Sequence, residues 1–568
     1  MTPRIRWSIY LLLIALAGGQ VLGKILAVNS VSVIDAEKQL RADFQNELKY
    51  LAVTTAEAGT PDHKLYADAL QEEFGVSAES LTSDPKVRDD IKASKDRAPR
   101  KWPLTARREN WEKRGKTATD AEMLAMVRRE MRKQRPFLSG NDRSRWLTVR
   151  SLVELGTYEI DQLALQDTYW DSLDIVRHKN AAGEDRFYSS KPPLMATIIA
   201  GEYWVLHKLT GWTLGDHPFE LGRIMLVTFN LLPLLVGWIV FAKIVDDWGT
   251  SDWGRIALVA TICFATMMSA FSAALTNHLW AFVSGILATY DASRIWRGSK
   301  NPLYFAGAGF WSTFLFTSEL PAASFVAALF CLLVYVDWRR TIFYGAPAGL
   351  LVLVAYFGTN YIAHGTWKPP YSFGAGDVSA EEATKSDPNN WYNYEYIREI
   401  DGSKRGYWKD PKSMNPVDLG EPSKWYYVFN GLFGHHGNFS LTPVLLLAIP
   451  GVIMLIRSRA LDLRLYGLLV AGVSVVCLYF YLWGLDQRQR NYGGPISAFR
   501  QLLWLHPLWL LAATPAFDWA ARSTRRQILV DILLAWSMVS ATYPTWNPWI
   551  QNWIWNLFEL AGWPTMTK

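Results

Sequence analysis

The chain has 568 residues, 50% of them hydrophobic, yet its mean hydropathy is only +0.02, so apolar and polar residues must be segregated along it. A net charge of +6 is too modest for a nucleic-acid footprint. Three cysteines, Cys263, Cys331 and Cys477, each alone inside an apolar run, exclude a disulfide framework and a thiolate metal site.

Nearly uncharged runs recur at 7–28, 192–210, 221–243, 255–273, 276–291, 302–317, 320–337, 342–362, 441–456, 464–483, 499–516 and 527–545. A helix crosses the hydrocarbon core with about 20 apolar residues, and the 28 Trp and 25 Tyr suit aromatic belts at the two interfaces. The expected fold class is an all-α polytopic membrane protein. Arg4 and Arg6 place the N-terminus on the cytoplasmic side, so 1–28 is read as the first transmembrane helix. A signal peptide ending near Ala15 and Ala17 is the alternative, but the apolar run continues to Val28.

Residues 29–138 are charged and helix-prone, a soluble helical insertion in the first outer loop. "TDAEMLAMVRREMRKQRP" opens with a capping box, Thr119 to Glu122, and stops at Pro136. Its basic end reads as a solvated face or a contact with anionic headgroups. "ESLTSDPKVRDDIKASKDRAPRK" (79–101) reads as flexible connection with little core.

In "SGNDRSRWLTVRSLVELGTYEIDQL" (139–163), Trp146, Val149, Leu152 and Val153 recur at helical spacing, with Arg145 and Arg150 on other faces. The stretch reads as an amphipathic helix on the outer surface, with "GND" as turn and cap and Asp142 at its start. In "EDRFYSSKPPLMATIIAGEYW" (184–204), Pro192 and Pro193 suit a first helical turn, where a missing N–H costs nothing. Lys191 then stands at the mouth of a helix, either snorkelling to headgroups or facing an anionic substrate.

Basic residues cluster in four short loops: Arg294, Arg297 and Lys300; Arg339 and Arg340; Arg457, Arg459 and Arg464; Arg522, Arg525 and Arg526. All four are cytoplasmic only if 192–210, which carries Glu202, His207 and Lys208, stays on the outer face. The expectation is therefore eleven spans. Its parts are a core over 139–362, an outer aromatic-rich loop at 363–440 and C-terminal spans over 441–568.

In the outer loop, "NNWYNYEYIREIDG" and "PSKWYYVFNGLFGHHGNFS" interleave aromatics with polar groups. That pattern suits sugar rings or a loop lying in the interface. His435 and His436 are adjacent on one segment, too few for a metal site without further ligands.

Taken together, the pattern resembles the GT-C glycosyltransferase superfamily, nearest the bacterial relatives of protein O-mannosyltransferases and lipid A aminoarabinose transferases. The resemblance rests on Asp142 in "GNDRSRW" and on Lys191 to Leu194 in "SSKPPL". Two glycine-rich segments, "GLFGHHGNFSLTPVLLLAIPG" (431–451) and "NYGGPISAFRQLLWLHP" (491–507), add to it. It covers most of the membrane portion but not 36–138. Two departures stand out. The usual Asp-Glu pair is Asp142-Arg143, and Asn277 and His278 stand where a second acid is frequent.

The resemblance implies transfer of a sugar from a polyprenyl-phosphate carrier to a lipid, glycan or protein acceptor. The chemistry would occur on the outer face of a bacterial-type plasma membrane. A phosphate leaves without an acid if cations stabilise it, so one carboxylate suffices and no cofactor is implied, a divalent metal included. Asp142 is the expected general base, or simply a helix cap. Lys191 and Arg500 are the expected phosphate cations, with Arg488 and Arg490 as substitutes. Glu319 and His278 are further candidates, and Asp174 and Asp161 are fallback acids. A transporter or flippase, or an inactive relative acting as an assembly protein, are the alternatives; neither involves nucleic acid.

Overall fold

Proline and short polar side chains set the helix starts. Pro3, Pro193, Pro218 and Pro302 open helices Pro3–Ala27, Pro193–Thr210, Pro218–Leu226 and Pro302–Ser318, where their fixed φ fits and the lost N–H has no partner to lose. Ser251 and Asn301 cap the next residues' amides, at Gly254 and Leu303. The computed structural model describes all residues except 28–34, 98–101, 113–116, 133–136, 167–169, 375–389, 398–403, 410–413, 546 and 566–568.

The described residues are almost entirely helical, with two short antiparallel hairpins. One pairs Ile175–Lys179 with Asp185–Ser189, and the other pairs Tyr396–Ile397 with Lys404–Arg405. The first hairpin is absent from the helical reading of the sequence. Its signal is legible in retrospect: "IVRHK" and "DRFYS" flank a turn in which Gly183 takes φ +81° and bonds back to Asn180.

Helices Asp35–Glu57, Asp62–Phe74, Ala78–Thr82, Pro85–Arg97, Pro103–Glu112 and Asp120–Arg132 gather around a core of their own, built on Phe44, Leu48, Leu70, Leu104, Leu124 and Val127. Buried Glu47 ties this unit together by accepting from Leu104 N at 2.7 Å and Thr105 N at 2.8 Å, which caps the helix starting at Pro103. Two of the six helices lie in the stretch read as flexible, whose length carried no apolar periodicity; Ala78 reaches the core beside it. Thr119 and Glu122 form the expected reciprocal cap.

Five segments are long and apolar enough to cross a membrane: Pro3–Ala27, Pro218–Trp248, Asp252–Phe271, Leu320–His364 and Leu461–Trp483. The count of eleven is not confirmed, for two physical reasons. The run 499–516 breaks into Arg500–Leu505, His506–Ala512 and Thr514–Ala520 and is buried at the centre of the core rather than turned to lipid. Pro302–Ser318 and Pro443–Ile456 are short, while Asn277–Trp296 and Thr524–Thr542 carry more polar residues. The 45 residues Leu320–His364 are two legs, not one rod, separated at Asp337, where φ −152° and ψ 87° leave the helix, in keeping with the two runs 320–337 and 342–362 and the basic turn between them. The helix Pro193–Thr210 is not among the five.

The two ends of the helical body differ. At one end Arg6 pairs with Asp246 (2.6 Å) and Asp252 (2.8 Å), and Arg294 with Asp247 (2.6 Å). Arg297 reaches Asp462 (2.7 Å), and Asp518 accepts from Thr250 N and Ser251 N, both at 2.8 Å. Basic segments distant in sequence thus share one end. A helix rises about 1.5 Å per residue. The opposite ends of Pro3–Ala27, Asn277–Trp296 and Pro302–Ser318 therefore lie some 25–37 Å away, and there the outer-loop residues and the C-terminal segment collect.

Candidate active site

At that far end, five pieces of chain meet. Helix Gly140–Glu154 begins on Ser139, whose hydroxyl accepts from Asp142 N at 3.1 Å. Ser139, not Asp142, is the cap, and residues 142–149 are buried, so this is an interior helix and not a surface one. Asn141 and Arg145, four apart, share a face. Arg145 donates to Asn141 Oδ1 and to Asn277 Oδ1, each at 2.6 Å.

The second piece is the turn from the hairpin into helix Pro193–Thr210. Lys191 Nζ lies 2.9 Å from Asp174 Oδ1, and the Asp174 carbonyl accepts from Ser190 N at 3.0 Å. The third is the irregular stretch between Asp252–Phe264 and Asn277–Trp296, whose backbone is held from three sides. Asn230, buried within a π-helical turn at Val227–Leu231, donates to the carbonyls of Ser272 (2.8 Å) and Ala274 (2.9 Å). Lys24 donates to the Ser269 carbonyl (3.3 Å), and Asp142 Oδ1 accepts from Leu275 N (2.8 Å).

Asn277 and His278 emerge from that stretch. The fourth piece, the turn after Ser318, brings Glu319. Its Oε1 accepts from Asn277 Nδ2 at 3.0 Å and is hydrogen-bonded to His278 Nδ1, and its Oε2 accepts from Tyr481 OH at 3.1 Å. The fifth is Arg500, whose guanidinium sits 4.9 Å from the centre of the Trp549 ring. It is backed by Gly493 in a left-handed run, Tyr492 to Gly494, at φ +55°, +96° and +94°.

These pieces enclose a cavity of about 200 Å³ lined by Arg145, Lys191, Asn277, His278, Tyr371 and Arg500. Among the described residues neither Arg145 nor Arg500 has a carboxylate within ion-pair distance, so the charged lining of the cavity is cationic, with Asp174, Glu319 and Asp418 behind it. Burial pushes the Lys191 ammonium down to about 8, opposed by Asp174 and helped by Arg145 and Arg500. Burial likewise lowers Arg145, to about 10, so it stays charged at neutral pH. For Asp174, burial pulls upward, but Lys191, Arg500 and Arg145 outweigh it and hold the carboxyl below its ordinary value.

Of the residues expected from sequence, Lys191, Arg500 and His278 line the cavity, and Glu319 stands directly behind His278. Asp142 does not. It is 1% exposed, its Oδ1 accepts from Trp146 Nε1 (2.9 Å) as well as Leu275 N, and its Oδ2 accepts from Leu138 N (3.3 Å). Its carboxylate therefore binds backbone and indole and does not face the cavity, a poor arrangement for the base that the sequence pattern implies. Burial pushes it up to about 6, against the Leu275 and Leu138 amides.

Arg490 clamps the carbonyls of Glu421 (2.7 Å) and Pro422 (3.0 Å) away from the cavity, and half-buried Arg488 does not line it either. Asp161 accepts from Phe187 N at 2.9 Å. His435 and His436 face one another at 2.7 Å in an aromatic enclosure of Tyr492 and Trp555. Among the described residues no three His, Cys, Asp or Glu side chains gather as a metal set. Sequence reasoning missed Arg145, Asn141 and Tyr371. The four-residue spacing of Asn141 and Arg145 was the available signal.

No family model and no curated protein matches the chain. Among solved structures it is similar to the oligosaccharyltransferase AglB of the archaeon Archaeoglobus fulgidus in complex with an inhibitory peptide and a dolichol-phosphate. That likeness has 11% identity and a TM-score of 0.39, over 75% of this chain and 54% of that one. The same organism's oligosaccharyltransferase with zinc and sulfate gives 11% identity and a TM-score of 0.38, over 75% and 51%. The chain thus spans about half the length of the structures it matches, and likeness at this distance carries no weight for what it does.

Proposed function

We propose that the chain is an integral membrane glycosyltransferase that moves a sugar from a polyprenyl-phosphate carrier to an acceptor hydroxyl or amine. In this reading the chemistry takes place at the end opposite the basic loops, on the outer face of the membrane. The observation that carries it is the junction of two spaces of opposite character. Beside the cationic cavity runs an apolar groove of about 530 Å³ between Phe229, Val236, Leu287 and Phe310, and Trp280 and Phe314 line both. A molecule with an anionic head and a long hydrocarbon tail fits that pairing, and neither space alone would ask for it.

Chemically, the arrangement favours loss of a phosphate leaving group. Charge grows on the phosphate oxygens as the sugar departs, and Lys191, Arg145 and Arg500 are already fixed around the space where it would grow. In a buried site each close cation–anion pair is worth several times its value in water. No acid is needed to protonate such a leaving group, in contrast to glycoside hydrolysis.

The test is binding of polyprenyl phosphate, in detergent micelles, to wild type and Lys191→Ala. Loss of one charge-assisted contact of ~1.5–3 kcal/mol weakens binding roughly tenfold to a hundredfold. The pH dependence has a definite sign. Lys191 sits at about 8 in the unliganded site, so raising pH through 8 removes the cation and weakens binding. Between the second ionisation of the lipid phosphate, at about 6, and 8 the affinity is level, and near 8 binding draws in a proton, visible as a heat that depends on buffer ionisation enthalpy. Lys191→Arg removes this alkaline decline. Equal affinity for wild type and Lys191→Ala across that range would overturn the proposal.

A further inference from the structure

The proposed transfer needs a group to take the acceptor's proton, and Asp142 is turned away from the cavity. We infer that His278 is the general base and that Glu319 is its positioning residue, an inference that rests on the function proposed above. Three observations converge on it. The His278 ring lines the cavity, although only 6% of the residue is exposed. Its Nδ1 is hydrogen-bonded to Glu319 Oε1, which leaves Nε2 as the ring nitrogen available to a substrate, with no protein partner among the described residues. Glu319 is itself fixed by Asn277 Nδ2 at 3.0 Å and Tyr481 OH at 3.1 Å, so the carboxylate is held at a set angle to the ring.

A carboxylate that accepts the Nδ1 proton fixes the tautomer in which Nε2 carries a lone pair, and it stabilises the imidazolium formed when that lone pair takes a proton. A second ordering device is present. Asn277, adjacent to His278, is bonded both to Glu319 and to Arg145 (2.6 Å), so the base and one phosphate cation share a single bridge. The base and the leaving-group cations therefore line one small space.

The step balances as follows. The acceptor O–H or N–H proton passes to Nε2 of His278 while the acceptor oxygen or nitrogen bonds to the anomeric carbon. The anomeric carbon–oxygen bond to the phosphate breaks, and its electron pair stays on the phosphate oxygen beside Lys191, Arg145 and Arg500. His278 then releases its proton to water, and no metal or redox partner enters the balance.

The charged and titratable groups around His278 are Glu319 and, beyond it, Tyr481, then Arg145, Arg500, Lys191 and Tyr371 on the cavity wall. A base must be unprotonated to work. The rate of the chemical step should therefore fall as pH drops through the His278 titration, giving an acid limb that belongs to this residue.

The experiment offers wild type, His278→Gln and Glu319→Gln a panel of polyprenyl-phosphate-linked pentoses and hexoses, with simple alcohols and amines as acceptors beside water, and reads release of polyprenyl phosphate from pH 4 to 9, since burial lowers the His278 titration. Binding of polyprenyl phosphate is measured in parallel. His278→Gln is expected to lower the rate by roughly 10²–10⁴-fold and to abolish the acid limb, with lipid-phosphate affinity within about threefold of wild type. Glu319→Gln is expected to retain the limb, shifted, with a loss of at least tenfold in kcat rather than in KM. An unchanged acid limb in His278→Gln overturns the inference, and so does a parallel loss of polyprenyl phosphate binding, which would make His278 an anion contact. If wild type cleaves no donor, the function proposed above fails first; if it cleaves and the limb is unmoved, the His278 assignment alone fails.

Discussion

Asp142 illustrates how one side chain can shape a cavity that its own carboxylate does not line. Its two oxygens gather amide and indole donors from residues 138, 146 and 275, and Leu275 lies two residues before Asn277. Asn in its place keeps an oxygen for Trp146 and Leu275, whereas Ala strands two buried donors at about 1–3 kcal/mol each. Asp142→Asn should therefore fold and transfer at close to the wild-type rate, and Asp142→Ala should be destabilised by ~2–4 kcal/mol and lose transfer as well. Thermal melts and rates measured side by side decide this; a hundredfold loss in a well-folded Asn variant would restore the carboxylate as base. The pH sign supports the contrast. With Asp142 at about 6 when folded and near 3.8 when unfolded, the folded chain holds a proton the unfolded chain releases. This group's contribution is full below 3.8 and declines as pH rises through 6, and the Asn variant lacks that decline.

Residue identity was legible where it conflicted with its surroundings. A lysine before two prolines, an arginine at the head of an apolar run, and a histidine and a glutamate beside apolar helices all stood out in the sequence and all gather at the cavity. Arg145 did not stand out, because an arginine on an amphipathic-looking helix reads as solvated. Only the burial of the whole helix makes it an interior cation. For Asp142 the place before the tryptophan was visible in the sequence, but the direction of its carboxylate was not, because it depends on Leu275, more than a hundred residues away.

Among elements, the informative ones are those that break regularity. The stretch before Asn277 is irregular, yet Asn230, Lys24 and Asp142 bind its backbone, so its polar groups are met by side chains instead of a helical ladder. The run of left-handed residues Tyr492 to Gly494 performs a similar task for Arg500. A Cβ at Gly493 would stand 3.0 Å from Arg500 Nε, and φ there is +96°. Gly493→Ala therefore combines backbone strain of about 1–2 kcal/mol with displacement of the guanidinium. The expected outcome is a modest loss of stability and a larger loss of polyprenyl phosphate affinity. Equal affinity in the Ala variant would show that Arg500 does not need this support. Hydropathy counts 499–516 as one more span because it registers apolar residues without seeing what covers them; the run breaks into three short helices covered by the core, so its crossing is not confirmed.

For the whole molecule, polarity is the organising feature: ion-paired loops at one end, the cationic cavity at the other, and apolar helices between. Charge clustering made the first end legible in sequence, since like charges in short loops need no tertiary information. The break at Asp337 was legible too, as the basic turn between two apolar runs, whereas the burial of a helix such as His506–Ala512 depends on neighbours distant in the chain.

The separate core of the helices between Asp35 and Arg132 has a consequence for how the chain comes apart. Its buried residues, from Phe44 to Val127, belong to none of the packing that surrounds the cavity. Two cores that share no residues need not melt together. Gentle protease treatment should release this part as a resistant fragment while the remainder keeps its affinity for polyprenyl phosphate. Differential scanning should then show two heat-absorption peaks, with only the one from the cavity-bearing part moving upward when that lipid is added. In this chain, ligand-induced resistance to heat would be a property of an address, not of the molecule.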